Sequence, residues 1–564
     1  MKQKYFIKTN WFNYRTIFYS VWLIISIIQA YKTELFNDEA YYWIYSKDLQ
    51  FGYFDHPPII ALIIRIGTFL FGGIHKEIAV RLLIIPINLL TIYLIEKLIK
   101  PKDFILFSII ISSVAMLQVG GFLAIPDGPL LCFTALFFLV FKEYIKEQNS
   151  VNIIGLSLII ALLLYTKYHG ILVIAFSFLA NIKLLKRKSF YLVVILSLLF
   201  LSFHFYWLYQ NEFITIKYHL FERSLARYSI NDTLAYLYAQ PFFLGGLSGI
   251  LFFYYCFKYT PASALEKTLK WNFIGTLFFF LLMTYKGRVE VHWTAIAIIP
   301  MVVLSYNTVS NFTKKKYIKL IYALSFITVF CFIIIRVFLI YDFSNGIFNR
   351  GFEFHNQREW VDQVKQKSNG LPVVFMDSYS KAAKYEFYSG IPALSLNNVW
   401  YRRNQYNLEM EDDFQGKTVF LICCYRVSGL DSVHYDNEYC NYKIISNFRS
   451  YSDIRFSPVS PPKSLPKDSD VPIPVAISFR SKIKPDLNAN PEYPSFISYQ
   501  FFAKDHYCTN TQTLVRLTND MLNTTYPLTI HTPPRKGKYW LVFSVSTGWF
   551  QPTINSDNYF LQIE

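Results

Sequence analysis

The sequence predicts a polytopic α-helical membrane protein with about eleven transmembrane helices, additional juxtamembrane helices and a C-terminal extracytoplasmic region that combines α/β structure with a β-sandwich. Three observations support this prediction. The 564 residues are 53% hydrophobic and 16% charged. Apolar runs near the length needed to cross a bilayer recur over the first 340 residues. From about Tyr341 onward no run is long enough to span, and prolines, amides and acids become frequent.

Twelve apolar segments are candidates for crossing the membrane. They lie at about residues 16–30, 59–73, 79–99, 104–123, 129–145, 151–167, 170–182, 190–208, 236–257, 271–284, 292–307 and 317–341. The second segment is short, contains Arg65, follows a Pro-Pro pair and ends in Gly-Gly, which favours a helix lying on the membrane surface. The first follows a basic N-terminus but lacks a small-residue cleavage site, so we expect it to be a span rather than a signal peptide.

The lysine-rich connections determine whether residues 59–73 cross. With a cytoplasmic N-terminus, all five connections lie inside only if this segment does not cross. They contain Lys97, Lys100 and Lys102; Lys142 and Lys146; Lys183, Lys186, Arg187 and Lys188; Lys258, Lys267 and Lys270; and Lys314, Lys315, Lys316 and Lys319. The count predicts a multi-pass membrane protein with a cytoplasmic N-terminus and an extracytoplasmic C-terminal region. The net charge of +17 is then explained by basic residues that orient the protein in the membrane, rather than by nucleic-acid binding.

We expect a transmembrane domain over residues 1–341, an α/β domain over 342–456 and a β-rich, sandwich-like domain over 457–564. Residues 371–390 have the pattern of a strand, a turn, a helix and a glycine cap, and residues 416–424 that of a buried strand. The Pro/Ser-rich stretch 457–474 is typical of a linker or of an excursion from the fold, and six short strand-like segments follow it.

Missing motifs exclude several kinds of chemistry. The sequence contains no GxxxxGK[ST] or GxGxxG loop, no HExxH and no GxSxG, so nucleotide hydrolysis, zinc proteolysis and serine-hydrolase chemistry have no support. None of the seven cysteines has zinc-site spacing, although disulfides are possible in an oxidising compartment. An activated substrate therefore has to arrive by another route, for which a lipid carrier is the natural one.

The external face of the predicted topology gathers acidic residues. Asp38 and Glu39 directly follow the first span, where a partly desolvated carboxylate beside cations can act as a general base. They can equally cap and begin the helix that follows. Asp127, in Ala-Ile-Pro-Asp-Gly-Pro, has the same two interpretations.

Basic residues surround these acids on the same predicted face. They are Lys167, His169, His219, Arg223, Arg227, Lys286, Arg288 and His292. Cations beside acids at a lipid boundary suit a lipid-phosphate or pyrophosphate substrate, although single lysines or arginines also snorkel to membrane interfaces. Asp55-His56 can supply a metal ligand or an anion contact, but most such pairs make local hydrogen bonds.

In order, "NDEAYYW", "GYFDHPPIIALIIRIGTFLFG", "AVRLLIIPINLL", "AIPDGPLL", "LLLYTKYHG" and "VHWTAIAIIP" resemble motifs of the bacterial membrane glycosyltransferases of the GT-C superfamily. The resemblance covers about residues 1–340 and is to protein O-mannosyltransferase-like enzymes and to the aminoarabinose transferases that modify lipid A. It implies a location in the bacterial inner membrane, with the C-terminal region in the periplasm. It implies an enzyme that transfers a hexose or pentose from a polyprenyl-phosphate donor to an extracytoplasmic acceptor (lipid A, an envelope glycan or a protein) by inverting displacement.

The resemblance also implies roles for individual residues. Asp38 would be the catalytic base or an acceptor-positioning acid, with Glu39 beside it and Asp127 as a further catalytic acid. The donor phosphate would be held by Tyr53, His56, Lys167, Arg223, Lys286, Arg288 and His292. Asp55 and His219 would be the ligands of a divalent metal, the one cofactor that we consider, and His56 stands where the aminoarabinose transferases have a lysine.

Two other functions fit parts of the pattern. A transporter or flippase of lipid-linked sugars also needs many spans and intramembrane charge, but transporters often carry internal repeats and place their sites near the bilayer midplane. A non-catalytic envelope assembly protein would use its β-rich end for recognition, and Asp38 would then be dispensable.

Overall fold

The computed structural model describes residues 11–73, 75–222, 228–343, 353–408, 413–423, 431–435, 438–480, 484–489, 491, 493–503, 506–507, 511–548 and 552–564. The chain forms two compact units: the first comprises mainly residues up to 355 and the second mainly residues from 356 onward. The first unit is helical, and the second contains most of its regular structure in three β-sheets.

The described part of the first unit contains helices of very different lengths. The α-helices are α1 Trp11–Lys32, α2 Asn37–Lys47, α3 Ile59–Phe71, α4 Lys76–Arg81, α5 Ile84–Ile99, α6 Phe104–Ser112, α7 Ala115–Gln118, α8 Asp127–Lys146, α9 Ser150–Thr166, α10 Gly170–Ala180, α11 Lys188–Phe200, α12 Ser202–Gln210, α13 Ile214–Lys217, α14 Ile230–Gly245, α15 Gly249–Lys258, α16 Ala264–Met283, α17 Ile298–Val309 and α18 Lys315–Ile340. Short 3₁₀ segments lie at Gly120–Phe122, Ile182–Lys186, Gly246–Ser248 and Val291–Ala297, and a π-helical turn lies at Tyr218–Glu222.

Five helical stretches among the described residues are long and apolar enough to cross a membrane. They are Lys76–Ile99, Asp127–Lys146, Ile230–Lys258, Val291–Val309 and Lys316–Ile340. The pair α11 and α12, bent by 52°, makes a sixth if it is counted as one broken span. A membrane region of five or six candidate spans is therefore present, which is fewer than the predicted eleven. The difference arises because several predicted segments form shorter helices, such as α9 and α10.

The α3 helix has the features predicted for residues 59–73. Its 13 residues extend for about 20 Å, which is shorter than the roughly 30 Å hydrocarbon core. Ile60, Ile64 and Gly67 lie on one buried face, while Arg65 is exposed. A Cβ at Gly67 would lie 2.3 Å from the Ala79 carbonyl oxygen, so the glycine permits close packing of α3 against α4.

The helices of the first unit pack around an apolar core reinforced by a few polar contacts. The core contains large side chains from α6, α8 and α17, including Phe107, Phe138 and Met301. Asn272 Nδ2 donates to Ser177 Oγ over 3.0 Å and links α16 to α10. Such polar contacts fix the rotation of one apolar helix against another, which apolar packing alone specifies weakly.

The second unit begins with an α/β layer. It contains α19 Gln357–Ser368, β1 Val373–Met376, α20 Tyr379–Ser389, β2 Ala393–Leu396, β3 Val419–Cys423, β4 Asp431–Tyr435 and β5 Glu438–Ile445. The five strands are ordered β2-β1-β3-β5-β4, with β1 parallel to both β2 and β3 and with β5 antiparallel to β3 and β4. Gly390 caps α20 with φ of 73°, so the strand, helix and glycine cap predicted for residues 371–390 are confirmed.

Two further sheets pack face to face and form a β-sandwich. Their strands are β6 Ile454–Pro458, β7 Ser464–Leu465, β8 Asp470–Phe479, β9 Phe496–Ala503, β10 His506–Tyr507, β11 Thr511–Arg516, β12 Thr524–His531, β13 Gly537–Ser546 and β14 Tyr559–Ile563. One sheet has the order β10-β9-β13-β14-β7, with β11 also paired to β9, and the other has the order β12-β8-β6. One core joins them, with Ile477 and Leu528 from the smaller sheet and Phe501 and Phe543 from the larger.

The predicted linker at residues 457–474 is wrong in part. It contains the end of β6, all of β7 and the first half of β8, which is the central strand of its sheet. Ile473, Val475 and Ile477 are buried at alternate positions of β8, and burial of this apolar face outweighs the ladder donors that Pro472 and Pro474 lack. The proposed division between residues 456 and 457 falls inside β6 and stays a prediction.

Candidate active site

Glu39 lies in the first turn of α2 and forms a buried ion pair with Arg81 at the end of α4. Arg81 Nε donates to Glu39 Oε1 over 2.8 Å, and Arg81 Nη2 donates to Glu39 Oε2 over 2.6 Å. Both side chains are fully buried. Two backbone amides supply further hydrogen bonds to the carboxylate: Phe36 N donates to Oε2 over 3.0 Å, and Ala124 N donates to Oε1 over 2.8 Å. With four hydrogen bonds accepted, Glu39 is suited to positioning rather than to proton transfer.

Arg81 uses its guanidinium to close the turn between α1 and α2. Its Nη1 donates to the carbonyl oxygens of Ala30 and Thr33 over 3.0 and 2.6 Å, and its Nη2 donates to the Glu34 carbonyl over 2.8 Å. Together with the two bonds to Glu39, these contacts equal the five N–H donors of an arginine. The end of α1, the start of α2 and the end of α4 are therefore held by one side chain.

Asp38 precedes Glu39 on α2 and differs from it in exposure. Its side chain is half-buried, whereas that of Glu39 is fully buried. Successive helix residues are rotated by about 100°, so the two carboxylates leave the helix in different directions. Of the two adjacent acids, Asp38 is the one that a substrate can reach.

Asp127 begins α8 and is paired with Lys167, which follows α9. Lys167 Nζ lies 2.8 Å from Asp127 Oδ1 and 2.9 Å from Oδ2. The two side chains are only 4% and 5% exposed. A carboxylate in the first turn of a helix is stabilised by the helix dipole, and the lysine neutralises the remaining charge. The ammonium has three N–H donors, so at most two are committed to Asp127.

A single hydrogen bond links the two acidic motifs. Ala124, whose amide donates to Glu39, lies three residues before Asp127 in the turn that leads into α8. The turn is compact, because Ile125 N donates to the Leu123 carbonyl over 2.9 Å. The first turn of α2 and the Asp127–Lys167 pair are thus parts of one constellation, although Asp38 and Asp127 are 89 residues apart in sequence.

Asp55 lies in a buried cluster of tyrosines. Its Oδ2 accepts from Tyr41 Oη over 2.9 Å and from Tyr45 Oη over 3.3 Å. Tyr45 stacks on Tyr53, with ring centroids 4.4 Å apart. Burial, together with the neighbouring Tyr41 and the Asp55 carboxylate, raises the pKa of the Tyr45 hydroxyl well above its usual value. The hydroxyl therefore stays protonated and donates to the carboxylate.

The residues predicted to bind metal or phosphate near Asp55 make local contacts. His219 Nε2 lies 3.0 Å from the Asp55 carbonyl oxygen, and the Tyr53 hydroxyl donates to the Asp48 carbonyl over 3.0 Å. His56 packs edge-on against Tyr42. No group of three His, Cys, Asp or Glu side chains in the described ranges is arranged to hold a metal ion. Asp55 and His219 are neighbours in space, and the contact of the His219 ring is with the backbone carbonyl oxygen of Asp55.

The remaining predicted cations have different surroundings. Lys286 and Arg288 are exposed, and Arg288 lies 3.7 Å from Glu290 in a weak surface ion pair. His292 is half-buried at the start of the 3₁₀ segment before α17. Arg223 lies outside the described residues.

Sequence reasoning missed a chain of contacts that anchors the loop after α2. Tyr168 Oη lies 3.0 Å from His204 Nε2, and His204 Nδ1 lies 2.7 Å from the Phe51 carbonyl. Trp207 Nε1 donates to Gln50 Oε1 over 2.9 Å. His204 and Trp207 within the apolar run 190–208 are the sequence feature that could have predicted these contacts, because polar atoms in such runs need hydrogen-bond partners.

Comparisons with known proteins agree with this architecture. Residues 55–207 match the family model described as dolichyl-phosphate-mannose-protein mannosyltransferase. A 55-residue segment is 38% identical to the lipid A galacturonosyltransferase RgtD of Rhizobium johnstonii, and this match covers 10% of the chain and only 11% of RgtD.

Two crystal structures of ArnT from Cupriavidus metallidurans have a similar fold. The apo structure aligns with a TM-score of 0.56 at 13% identity, and the structure bound to undecaprenyl phosphate aligns with a TM-score of 0.54 at 12% identity. Each alignment covers 76% of this chain and 98% of ArnT. The chain therefore has an ArnT-like fold, and its residues 55–207 resemble a family of membrane glycosyltransferases. The predicted resemblance to GT-C glycosyltransferases is confirmed, and the donor, the acceptor and the roles of individual residues are left to proposal.

Proposed function

We propose that this GT-C protein transfers a sugar from a polyprenyl-phosphate donor to an extracytoplasmic acceptor by inverting displacement. The relatives support the substrate class: an ArnT crystal structure contains undecaprenyl phosphate, and RgtD is named for galacturonosyl transfer to lipid A. The acceptor is lipid A, another envelope glycan or a protein.

The hydrogen bond from Ala124 N to Glu39 Oε1 is the observation that carries the proposal. It joins the first turn of α2, which bears the accessible Asp38, to the turn that bears the Asp127–Lys167 pair. Such a site contains both an acid that can accept a proton and a cation that can face a phosphate. These are the two groups that transfer from a lipid phosphate requires.

In the proposed reaction, Asp38 accepts the proton of the acceptor nucleophile. The nucleophile attacks the anomeric carbon, the bond from that carbon to the phosphate oxygen breaks, and polyprenyl phosphate leaves with the bonding electrons. Glu39 holds the first turn of α2 in place through Arg81. Because a lipid phosphate is already a good leaving group, positioning and charge neutralisation are the main contributions that the protein has to make.

Lys167 is the proposed primary contact of the donor phosphate. Asp127 orients its ammonium and leaves at least one N–H donor for a phosphate oxygen. Lys286, Arg288 and His292, together with Arg223, would add positive charge near the entering donor. Tyr53 and His56 would act at a distance, by shaping the loop around Asp55. Asp55 and His219 are the residues that would hold a divalent metal.

We further propose eleven crossings, with the N-terminus inside and the active site outside. The short length of α3 supports this count, since it does not suffice for a straight crossing. The disulfide at Cys440 supports an extracytoplasmic location for the second unit, because disulfides persist in oxidising compartments.

The proposal can be tested by mass spectrometry of envelope lipids and glycans from a deletion strain complemented with variants. We expect the deletion to lose one modification, wild type to restore it, and Asp38→Asn to fail by at least about a hundredfold despite normal expression. Asp127→Asn should also restore little. Asp48→Asn removes the same charge from an exposed residue at the end of α2 and should complement fully. Full complementation by Asp38→Asn would refute its role as the base.

A further inference from the structure

A cavity with a mixed polar and apolar lining lies in the membrane unit, far from the acidic site. Its volume is about 770 Å³, and it is lined where α5, α8 and α17 end and where α6 and α16 begin. Asp127 and Lys146 are the first and last residues of α8 and are separated by roughly 28 Å along the helix axis. Because Lys146 lines the cavity, the cavity and the proposed catalytic site are at opposite ends of the same helix.

The cavity gathers lysines from separate connections. Lys100, Lys102, Lys142 and Lys146 all line it. Lys146 pairs with Glu143 over 2.9 Å. Within the part of the chain that the structure describes, the ammonium groups of the other three make no ion pair or hydrogen bond. Three cations therefore line one cavity without a direct ion-pair partner among the described residues.

The two acids in the lining are occupied elsewhere. Asp103 caps α6, because its Oδ1 accepts from Leu106 N over 3.0 Å. Glu266 Oε2 accepts from Ala262 N over 2.7 Å. These backbone contacts fix both carboxylates at helix starts, so they compensate the lysines only in part.

Lys100 occupies a backbone position that glycine would fill at lower cost. It ends α5 with φ of 52° and ψ of 63°, in the left-handed region that L-residues other than Asn and Asp rarely adopt. Residues in this conformation cost free energy and persist only where the surrounding structure holds them, which is frequent at functional sites. The strain is an observation independent of the charge, and it points to a function for the Lys100 side chain.

The remaining walls have the character of a membrane interface. Apolar side chains such as Leu106, Leu269 and Val303 form the inner part, and Tyr259 and Tyr306 lie beside them. Tyrosines prefer the level of lipid headgroups, where an apolar ring and a polar tip are both satisfied.

We propose that this cavity binds the phosphate of an anionic phospholipid headgroup. Basic pockets between transmembrane helices are suited to such headgroups, and the apolar wall can accept the glycerol and the start of an acyl chain. Positive-inside orientation alone explains lysines in the connections, but not three unpaired ammonium groups around one cavity or the strain at Lys100. The proposal does not rest on glycosyl transfer, and its test uses no turnover measurement.

The experiment measures lipid binding to the purified full-length protein in neutral detergent by native mass spectrometry. The probes are phosphatidylglycerol, phosphatidylcholine with the same acyl chains, and inorganic phosphate or pyrophosphate without lipid. The test variant is Lys100→Gln/Lys102→Gln/Lys142→Gln. The matched control is Lys186→Gln/Lys267→Gln/Lys319→Gln, which removes the same charge from exposed residues that do not line the cavity.

We expect about fivefold weaker phosphatidylglycerol binding for each lysine removed from the cavity. The control variant should stay within about twofold of wild type. Equal weakening in both variants, or no weakening in either, would overturn the proposal. Inorganic phosphate or pyrophosphate that binds as tightly as phosphatidylglycerol would overturn the lipid as the source of the phosphate.

Lys100→Gly provides a variant that is not expected to impair folding. It removes one cation and also relieves the left-handed conformation. We expect about fivefold weaker phosphatidylglycerol binding with an unchanged or higher melting temperature in lipid-free detergent. Unchanged lipid binding by this variant would count against a role for the Lys100 side chain.

Discussion

Replacing Arg81 with methionine should destabilise the protein more than any single surface change. The substitution removes five hydrogen bonds and leaves the Glu39 carboxylate, which is fully buried, without its cation. Breaking a buried ion pair by removing one partner costs about 3–5 kcal/mol, because the other charge stays desolvated. We take about 3 kcal/mol as the lower bound, since water can replace some bonds to the α1 carbonyls. The assay is SDS-induced unfolding of the purified protein, followed by circular dichroism.

Arg15 offers a matched control for this prediction. It also contacts a glutamate through Nε, at 2.8 and 3.1 Å from the two oxygens of Glu96, but its side chain is 41% exposed. Arg15→Met should therefore cost about 1 kcal/mol or less. In the double variant Glu39→Gln/Arg81→Met the uncompensated charge is absent, so stability should recover by at least about 1 kcal/mol relative to Arg81→Met. Equal destabilisation by Arg81→Met and Arg15→Met would refute the reasoning.

Two further predictions concern packing and pH. Gly52→Ala places a Cβ 2.4 Å from the Trp207 ring, so it should displace the loop after α2. We expect this variant to complement a deletion strain at least about tenfold less well than wild type. Gly73→Ala, which has open space around the added Cβ, should complement normally. Burial raises the pKa of Asp377 to about 6, against the opposing effect of Asn398. The folded state then binds more protons than the unfolded state between about pH 4 and 6, so this carboxyl lowers stability as pH rises through that window. Relative to wild type, Asp377→Asn should gain melting temperature from pH 4 to 7, and a constant difference would contradict the assignment.

Local patterns predicted much of the fold. The strand, helix and glycine cap at residues 371–390 depend on neighbours within a few positions, as does the short α3 helix after its proline pair. The strand β8 was missed because its prolines resemble a linker locally, whereas the alternating burial of Ile473 and Val475 becomes decisive only when a second sheet covers that face.

The candidate site could be predicted only in part, because its contacts join distant segments. Asp38, Glu39 and Asp127 stand out as acids beside apolar runs, and the structure links their motifs. Arg81 lies within "AVRLLIIPINLL" but was not predicted as a site residue, although a lone charge at the start of an apolar run often marks a functional site. Its partner lies 42 residues upstream, and no spacing rule connects the two.

In the proposed mechanism, the two adjacent acids of α2 have different tasks that one carboxylate could not perform alone. A group that holds a backbone turn rigidly has to accept several short hydrogen bonds, and Glu39 accepts four. A group that takes a proton during turnover needs a free lone pair and access to the substrate. Glu39 has neither, because its side chain is fully buried and its carboxylate already accepts four hydrogen bonds. The half-buried Asp38 is more accessible than Glu39. Its backbone position is fixed by the contacts of Glu39, because both residues belong to the first turn of α2. Variants at Arg81 that still fold should therefore lower turnover by moving Asp38, even though the guanidinium of Arg81 forms its hydrogen bonds within the protein.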